Sequence, residues 1–410
     1  MSAVRSMFDQ FAATPAACEA SGACVRKPQL PIDTSAVVKS NAPTSAMAAA
    51  TIDVHPYTLP TDANPRELGH VRFHRSLDDA SVSGKPIFIQ FQEIPGCHTC
   101  WTYGDGVLRD PLVVELLETV FAPCAIHNNS TLDHDIAALA QFREPAWNNP
   151  VVHVVHPSTH SNLVPRIDGV YDLRGVARRV LPALIGHGVP IWVDYLAAVH
   201  GLRLVRDAND ACVVTAVHDT DLRVATFVME CYWAGETVLG GLAGVVSTLP
   251  GWCDGVEIVE VEYDATVVTY TELARAAIAA GLEPMVHDES QRLGVESLAS
   301  LVAVRDRREF GGNLKPLKAV SNSETKYHLK KKFPAVALLP LTAWQESHAN
   351  SIAGRKQSLD VIASLVLTPR QASLVHRIDA AGVAAIASRV DQHASAVDQW
   401  TALLSAVDGA

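Results

Sequence analysis

Between residue 66 and about residue 190 the hydrophobic positions switch repeatedly between two periods. "KPIFIQFQ" is an apolar run of strand length, and "DPLVVELLETVF" brings Val113, Leu116, Leu117 and Val120 to one side of a helix. "APCAIHNN" reads as a strand and "DHDIAALAQF" as a helix. "NPVVHVVHP" and "LVPRIDGVYD" predict two further strands, and "LRGVARRVLPALIGHG" a closing helix stopped by glycine. The order β-α-β-α-β-β-α predicts a central sheet flanked by helices.

A connector over 191–209 leads to a second patterned stretch, 210–350. "DLRVATFVME" predicts a strand and "GETVLGGLAG" a short helix. "GVEIVEVEYD" alternates strictly, so Glu257, Val259, Val261 and Tyr263 share one face, while Ile258, Glu260 and Glu262 share the other. On that pattern Glu260 and Glu262 are expected in solvent. Glu257 lies on the apolar face, where desolvation favours a protonated carboxyl and makes it a candidate general acid; an ordinary carboxylate at a strand's edge fits the spacing as well. "TYTELARAAIAAG" predicts a helix with Thr269 and Glu272 at capping-box spacing. Residues 1–65, rich in Ala, Ser, Thr and Pro, read as a disordered leader and linker, and 351–410 as a helical tail that caps the second module.

A length of 410 residues suits two to three domains, and a 48% hydrophobic content suffices for their cores. The formal charge of -11 argues against general affinity for nucleic acid or anionic lipid, and the Lys330–Lys332 run reads as a solvated face. Apolar runs fall short of a membrane span. Without a continuous apolar segment near the start no secretory signal is readable, so a cytoplasmic location is expected, with a weak organelle-targeting leader in the Ala-, Ser- and Thr-rich first fifty residues as the alternative. Eight cysteines are too few for a disulfide scaffold in such a chain.

Their placement carries more. Cys97 and Cys100 sit in "PGCHTCW", at the end of a strand and the opening of a helix. Unpaired backbone N–H groups and the helix dipole stabilise a thiolate there, so Cys97 reads as the exposed nucleophile and Cys100 as the buried resolving thiol. The alternative is half of a zinc site, with Cys124 and His127 as the nearest second pair, although their spacing is not that of a zinc ribbon. The redox reading, with no metal or other cofactor, fits the β-α-β setting better. Over residues 66–190 the chain resembles the thioredoxin superfamily, on Cys97 and Cys100 after "IFIQF" and on Pro150 in "NNPVV". The resemblance implies a cis-proline at Pro150 that faces the dithiol and helps hold the substrate.

In "ATFVMECYWAGE", Cys231 lies between an apolar strand and a Tyr-Trp pair, and two rings beside a thiol could form an apolar slot for a methyl group. Alone, the segment also fits a buried structural cysteine among core aromatics. Together with the "VEIVEVEYD" strand it resembles the A-type peptide methionine sulfoxide reductases. The resemblance assigns Cys231 as nucleophile, Tyr232 and Trp233 as the methyl-holding aromatics, Glu236 as the downstream Glu and Glu257 as the acid. It extends through Tyr270 and Leu273 and "HDESQ" at His287, and it makes Tyr327 in "NSETKY" a helper for the sulfoxide oxygen. The chain departs from that family at Glu230 and Ala234, in the shortened segment "STLPGWCDG", and in having no cysteine after Cys253.

These resemblances imply an α/β thioredoxin-like domain followed by a smaller α+β sandwich and a helical tail. The expected function is reduction of methionine-S-sulfoxide, free or in an oxidised protein, by Cys231. Cys253, 22 positions on, is the possible resolving thiol, the Cys97/Cys100 dithiol a built-in reductant, and a further thiol reductant lies upstream. A thiol-disulfide oxidoreductase whose second module only binds clients is the main alternative, and a non-enzymatic metal-binding or redox-sensing protein with 17 histidines the next.

Overall fold

The computed structural model describes residues 65–147, 150–181, 202–206, 214–296, 298, 303–309 and 313–409. They fall into two units: Ala50–Asp219 with Leu338–Pro340 and Thr368–Ala410, and Thr220–Ala337 with Leu341–Leu367. Cys18 and Cys24 lie outside the described residues, as does the continuation of the closing helix past Leu181.

In the first unit, helix α1 (Leu77–Ser81), capped by Ser76, leads into strand β1 (Ile87–Gln92), which is buried along its whole length. Helix α2 (His98–Gly106) follows, then α3 (Pro111–Val120), β2 (Ala122–His127), α4 (Asp133–Phe142) and β3 (Val151–Val155). β1 is the middle strand, parallel to β2 and antiparallel to β3. The central position explains its near-continuous apolar sequence. The strand expected in "LVPRIDGVYD" reduces to one isolated bridge, Val152 with Ile167, and a second, Val155 with Asn162, lies just before it. Its Pro165, Asp168 and Gly169 suit turns better than a ladder. Helix α5 (Leu173–Val180) is capped by Asp172, and β4 (Leu202–Arg206) pairs antiparallel with β5 (Val214–Asp219).

The second unit is built on a six-stranded sheet. β6 (Leu222–Met229) leads into helix α6 (Tyr232–Leu239), β7 (Val245–Cys253), β8 (Val256–Asp264), α7 (Tyr270–Ala279), β9 (Glu283–Val286) and α8 (Glu289–Glu296). With β10 (Arg305–Asp306) and β11 (Lys318–Ala319) the order is β10-β9-β6-β8-β7-β11. Most of the shortened segment "STLPGWCDG" is therefore strand β7. It closes on β8 through a two-residue turn, Asp254–Gly255, with φ of 52° and 76° at the two positions. Asp-Gly is the pair such a hairpin turn selects. One sheet face carries Phe227, Val259, Val261 and Tyr263 beneath α6 and α7, and Thr269 and Glu272 complete a capping box at the start of α7. On the other face Arg307 binds Glu260 and donates to Thr226 at 2.8 Å, so Glu260 is partly enclosed instead of solvated. Helices α9 (Tyr327–Lys332), α10 (Pro334–Ala337), α11 (Ala343–Gly354) and α12 (Leu359–Leu365) complete this unit.

Helices α13 (Pro369–Ala381), α14 (Val383–Ala387) and α15 (Ala396–Asp408) group with the first unit, so residues 351–410 are not one tail capping the second. Glu115 accepts from the Arg370 backbone N–H at 3.0 Å, and Arg370 pairs with Glu118 at 2.7 Å. These contacts explain why α3 is buried on nearly every side, including Glu115, where the pattern predicted a single apolar stripe.

Candidate functional site

Cys97 is the N-cap of α2, exposed, and its Sγ lies 3.5 Å from that of buried Cys100. The Cys100 backbone N–H is the chief cause that holds the Cys97 thiol below its ordinary range; the Cys100 thiol and the Thr99 N–H add to it, while burial and Glu93 oppose it. Burial pushes the Cys100 thiol up to about 12. The two cysteines thus have distinct characters, an accessible nucleophile and an enclosed partner. β1 and the 3-10 turn Arg66–Leu68 hold this helix start. Gln92 donates to the carbonyls of Glu67 (2.8 Å) and Cys100 (3.2 Å), and Glu67 accepts from the Gly96 N–H (2.5 Å) and the Trp101 indole (3.0 Å). Pro150 is buried beside β3, and its bond from Asn149 lies outside the described residues. Cys124 sits in the apolar core, apart from Cys97 and Cys100, which have the Glu93 carboxylate nearby.

The other thiol is arranged differently. Cys231, half-buried, is the N-cap of α6 but makes no side-chain cap bond. The first N–H of the helix, that of Tyr232, donates instead to Glu257 Oε2 at 2.8 Å. Glu257 is half-buried near the start of β8, which has neighbours on both sides and is no edge strand. The β7–β8 register sets Trp252 opposite Glu257, and the β6–β8 register sets Met229 on its other side. Tyr232 meets Trp252 and Trp233 edge to face, at 6.3 and 5.8 Å between ring centroids. A Cβ at Gly235 would fall 1.9 Å from Met229 Sδ, so the glycine lets α6 settle onto the sheet here. Glu230 points to solvent.

Residues 324–327 close the α6 side. Trp233 stacks on Tyr327 with centroids 4.1 Å apart, the Glu324 carboxylate lies close to the Tyr232 hydroxyl, and buried Glu236 pairs with Lys326 Nζ at 2.7 Å. Burial, then the Glu324 and Glu257 carboxylates, push the Tyr232 phenol up to about 12. Glu236 also accepts from Thr248 at 3.1 Å, so its carboxylate holds the helix to β7 and the 324–327 turn. The Tyr327 hydroxyl accepts from Lys331 at 2.9 Å. The Trp233 indole N–H is buried and has no hydrogen-bond partner among the described residues.

Cys253 does not join this arrangement. By strand alternation it faces the opposite side of the sheet from Trp252, in a cluster with Val228, Ile258 and Met285. β8 separates its strand from β6, two strand spacings or about 10 Å, whereas a disulfide needs Cα atoms within about 7 Å. Burial raises its thiol. As placed, Cys253 cannot resolve Cys231 without rearrangement of the sheet. Trp252, by contrast, was not singled out from the sequence. Reading "CDG" as a hairpin turn would have set it opposite Glu257.

No family model matches the chain. A peptide methionine sulfoxide reductase of Drosophila melanogaster is 31% identical over 87 residues, covering 18% of this chain and 35% of the relative. The chain thus spans about a third of that relative's length. A solved structure, the DsbH oxidoreductase, aligns with 32% of this chain and 94% of its own at 14% identity and a TM-score of 0.25. Among the described residues no helix is long and apolar enough to cross a membrane.

Proposed function

We propose that this protein is a thiol oxidoreductase that reduces methionine-S-sulfoxide at Cys231. The observation that carries the reading is the joint placement of the Cys231 thiol and the Glu257 carboxyl at one helix start, beside Tyr232, Trp233 and Trp252. The aromatic rings receive the S-methyl group. The Cys231 thiolate attacks the sulfoxide sulfur, and Glu257 protonates the oxygen as the S–O bond weakens. The oxygen ends on Cys231 as a sulfenic acid and the thioether leaves, a two-electron exchange. The Trp233 N–H, buried without a partner beside this slot, would bind the sulfoxide oxygen once the ring shifts to expose it. A thiol then condenses with the sulfenic acid, releasing water, and a second thiol opens the resulting disulfide. The Cys97/Cys100 dithiol is the proposed source of those two electrons.

A second reading draws on Cys253, which lies on the far sheet face, and on the Tyr327 hydroxyl, already bound to Lys331. In it the second unit binds oxidised clients and the redox chemistry stays at Cys97 and Cys100. The deciding experiment is turnover of a peptide methionine-S-sulfoxide with dithiothreitol, native chain against Cys231→Ser. Loss of turnover in Cys231→Ser is expected. Absence of turnover in both forms would overturn the first reading in favour of the second.

A further inference from the structure

Glu93 ends the loop side of β1, four residues before Cys97, and neither the redox reading nor the sulfoxide chemistry uses it. A carboxylate Oε and the two Sγ atoms of Cys97 and Cys100 all lie within 4.8 Å of one another. We propose that Glu93, Cys97 and Cys100 bind a thiophilic divalent cation of the zinc class when the dithiol is reduced.

The geometry is close to what such an ion needs. Thiolates about 2.3 Å from a tetrahedral zinc stand about 3.8 Å apart, and the two Sγ atoms are at 3.5 Å. The Glu93 carboxylate lies within 4.8 Å of both sulfurs, near enough for its side chain to turn into the third position. Exposed Cys97 leaves a fourth position open to water, the three-ligand arrangement of reactive zinc sites. Electrostatics point the same way. A dication offsets all three charges together. Binding displaces the proton of Cys100, and that of Cys97 where it carries one, so affinity rises with pH.

The site would regulate the dithiol. A bound cation occupies the Cys97 sulfur and blocks attack on a disulfide. When the free dithiol passes its two electrons to a client disulfide, it becomes a disulfide itself and both sulfur ligands vanish. Cation and client therefore compete for one reduced state.

The test uses the full chain reduced with a phosphine, Co2+ as spectroscopic probe and Zn2+ as competitor. The expected result is a thiolate-to-cobalt absorption in the near ultraviolet that saturates with Co2+ and is displaced by Zn2+. It is absent from the disulfide form and from Cys97→Ser/Cys100→Ser, and Glu93→Gln weakens it at least about tenfold. An absorption that survives in Cys97→Ser/Cys100→Ser belongs to other thiols and overturns the proposal, as does native affinity in Glu93→Gln or no absorption at all. The disulfide form keeps every native side chain, so that comparison does not depend on a variant's folding. Sulfoxide turnover is not part of the readout, so this proposal and the sulfoxide reductase reading fail separately.

Discussion

Glu257 Oε2 accepts the backbone N–H of Tyr232 at 2.8 Å, one peptide from Cys231. A neighbouring strand thereby caps the helix whose own N-cap side chain makes no such bond. The bond engages Oε2, so in the proposed reduction Oε1 is the oxygen that delivers the proton to substrate. Glu257→Gln keeps an acceptor for Tyr232 and removes that proton. Sulfoxide reduction with dithiothreitol should fall by about 10²–10⁴-fold in this variant. Alkylation of Cys231 by iodoacetamide should continue at the native rate. Equal turnover in the two proteins would leave Glu257 as a helix cap alone.

The indole N–H of Trp233 is buried without a partner among the described residues, while its ring is fixed against Tyr327. Trp233→Phe keeps an aromatic ring for the stack and deletes the donor. Unfolding free energy should change by less than about 1 kcal/mol, since an unsatisfied donor is also removed. If the N–H binds the sulfoxide oxygen, kcat/KM should drop roughly tenfold, the worth of one hydrogen bond. A loss of stability with unchanged kcat/KM would give Trp233 a packing role only.

At the dithiol the two thiols are displaced in opposite directions, Cys97 below its ordinary 9.0 by the Cys100 N–H and Cys100 to about 12 by burial. Cys97 is therefore a thiolate at lower pH than a free cysteine, and Cys100 remains a thiol across the neutral range. Iodoacetamide followed by mass spectrometry from pH 5 to 9 should label Cys97 with a midpoint below that of a model thiol. Cys100 should stay unlabelled until the protein unfolds. Equal labelling of both, or a Cys97 midpoint at the free-thiol value, would contradict the arrangement.

Much of the fold was legible because its signals are local. The burial of β1, the cap of α7 and the alternation of β8 follow from runs of eight to twelve residues. Strand β7 is not legible from the sequence because Pro250 and Gly251 break its pattern, and only the Asp254–Gly255 turn signals the hairpin it forms with β8. The segregation of 368–410 with the first unit could not be read, since Arg370 meets Glu115 across 255 positions. Site residues divide the same way. Cys97, Cys100 and Cys231 mark themselves by a strand end and a helix start, whereas Trp252, Lys326 and Glu93 acquire meaning only from neighbours distant in the chain.

Glu236 and Lys326 form an ion pair with both side chains almost wholly enclosed, 0% and 4% exposed. Thr248 joins it through its hydroxyl and carbonyl, so the charges are well satisfied. Removing one partner leaves the other charge buried and alone, at a cost of about 3–5 kcal/mol. Lys326→Met should lower the unfolding free energy of the second unit by that order. Lys326→Met/Glu236→Gln should cost less than the sum of the two single changes. Lys326 also precedes Tyr327, so near-ultraviolet dichroism from the Trp233–Tyr327 stack should weaken in Lys326→Met. Additive losses in the cycle would mean that the pair contributes no coupling.

Glu115 is the carboxyl most out of place in the first unit. Burial raises it from 4.5 to about 7, although Thr368 and Arg370 work in the opposite sense. An acid raised on folding binds its proton more tightly in the native state. Between about pH 4.5 and 7 the native protein holds a proton that the unfolded chain has released, so stability falls as pH rises through that window. The contribution is fully present below pH 4.5 and lost above 7, a change on the order of 3 kcal/mol. Glu115→Gln keeps an acceptor for the Arg370 N–H and cannot ionise. Thermal unfolding from pH 5 to 8 should show the native chain losing stability relative to Glu115→Gln as pH rises, with α13 the segment that frays first by hydrogen exchange. Parallel stability curves for the two proteins would show that Glu115 titrates as an ordinary surface carboxylate and that the α3–α13 contact is not proton-linked.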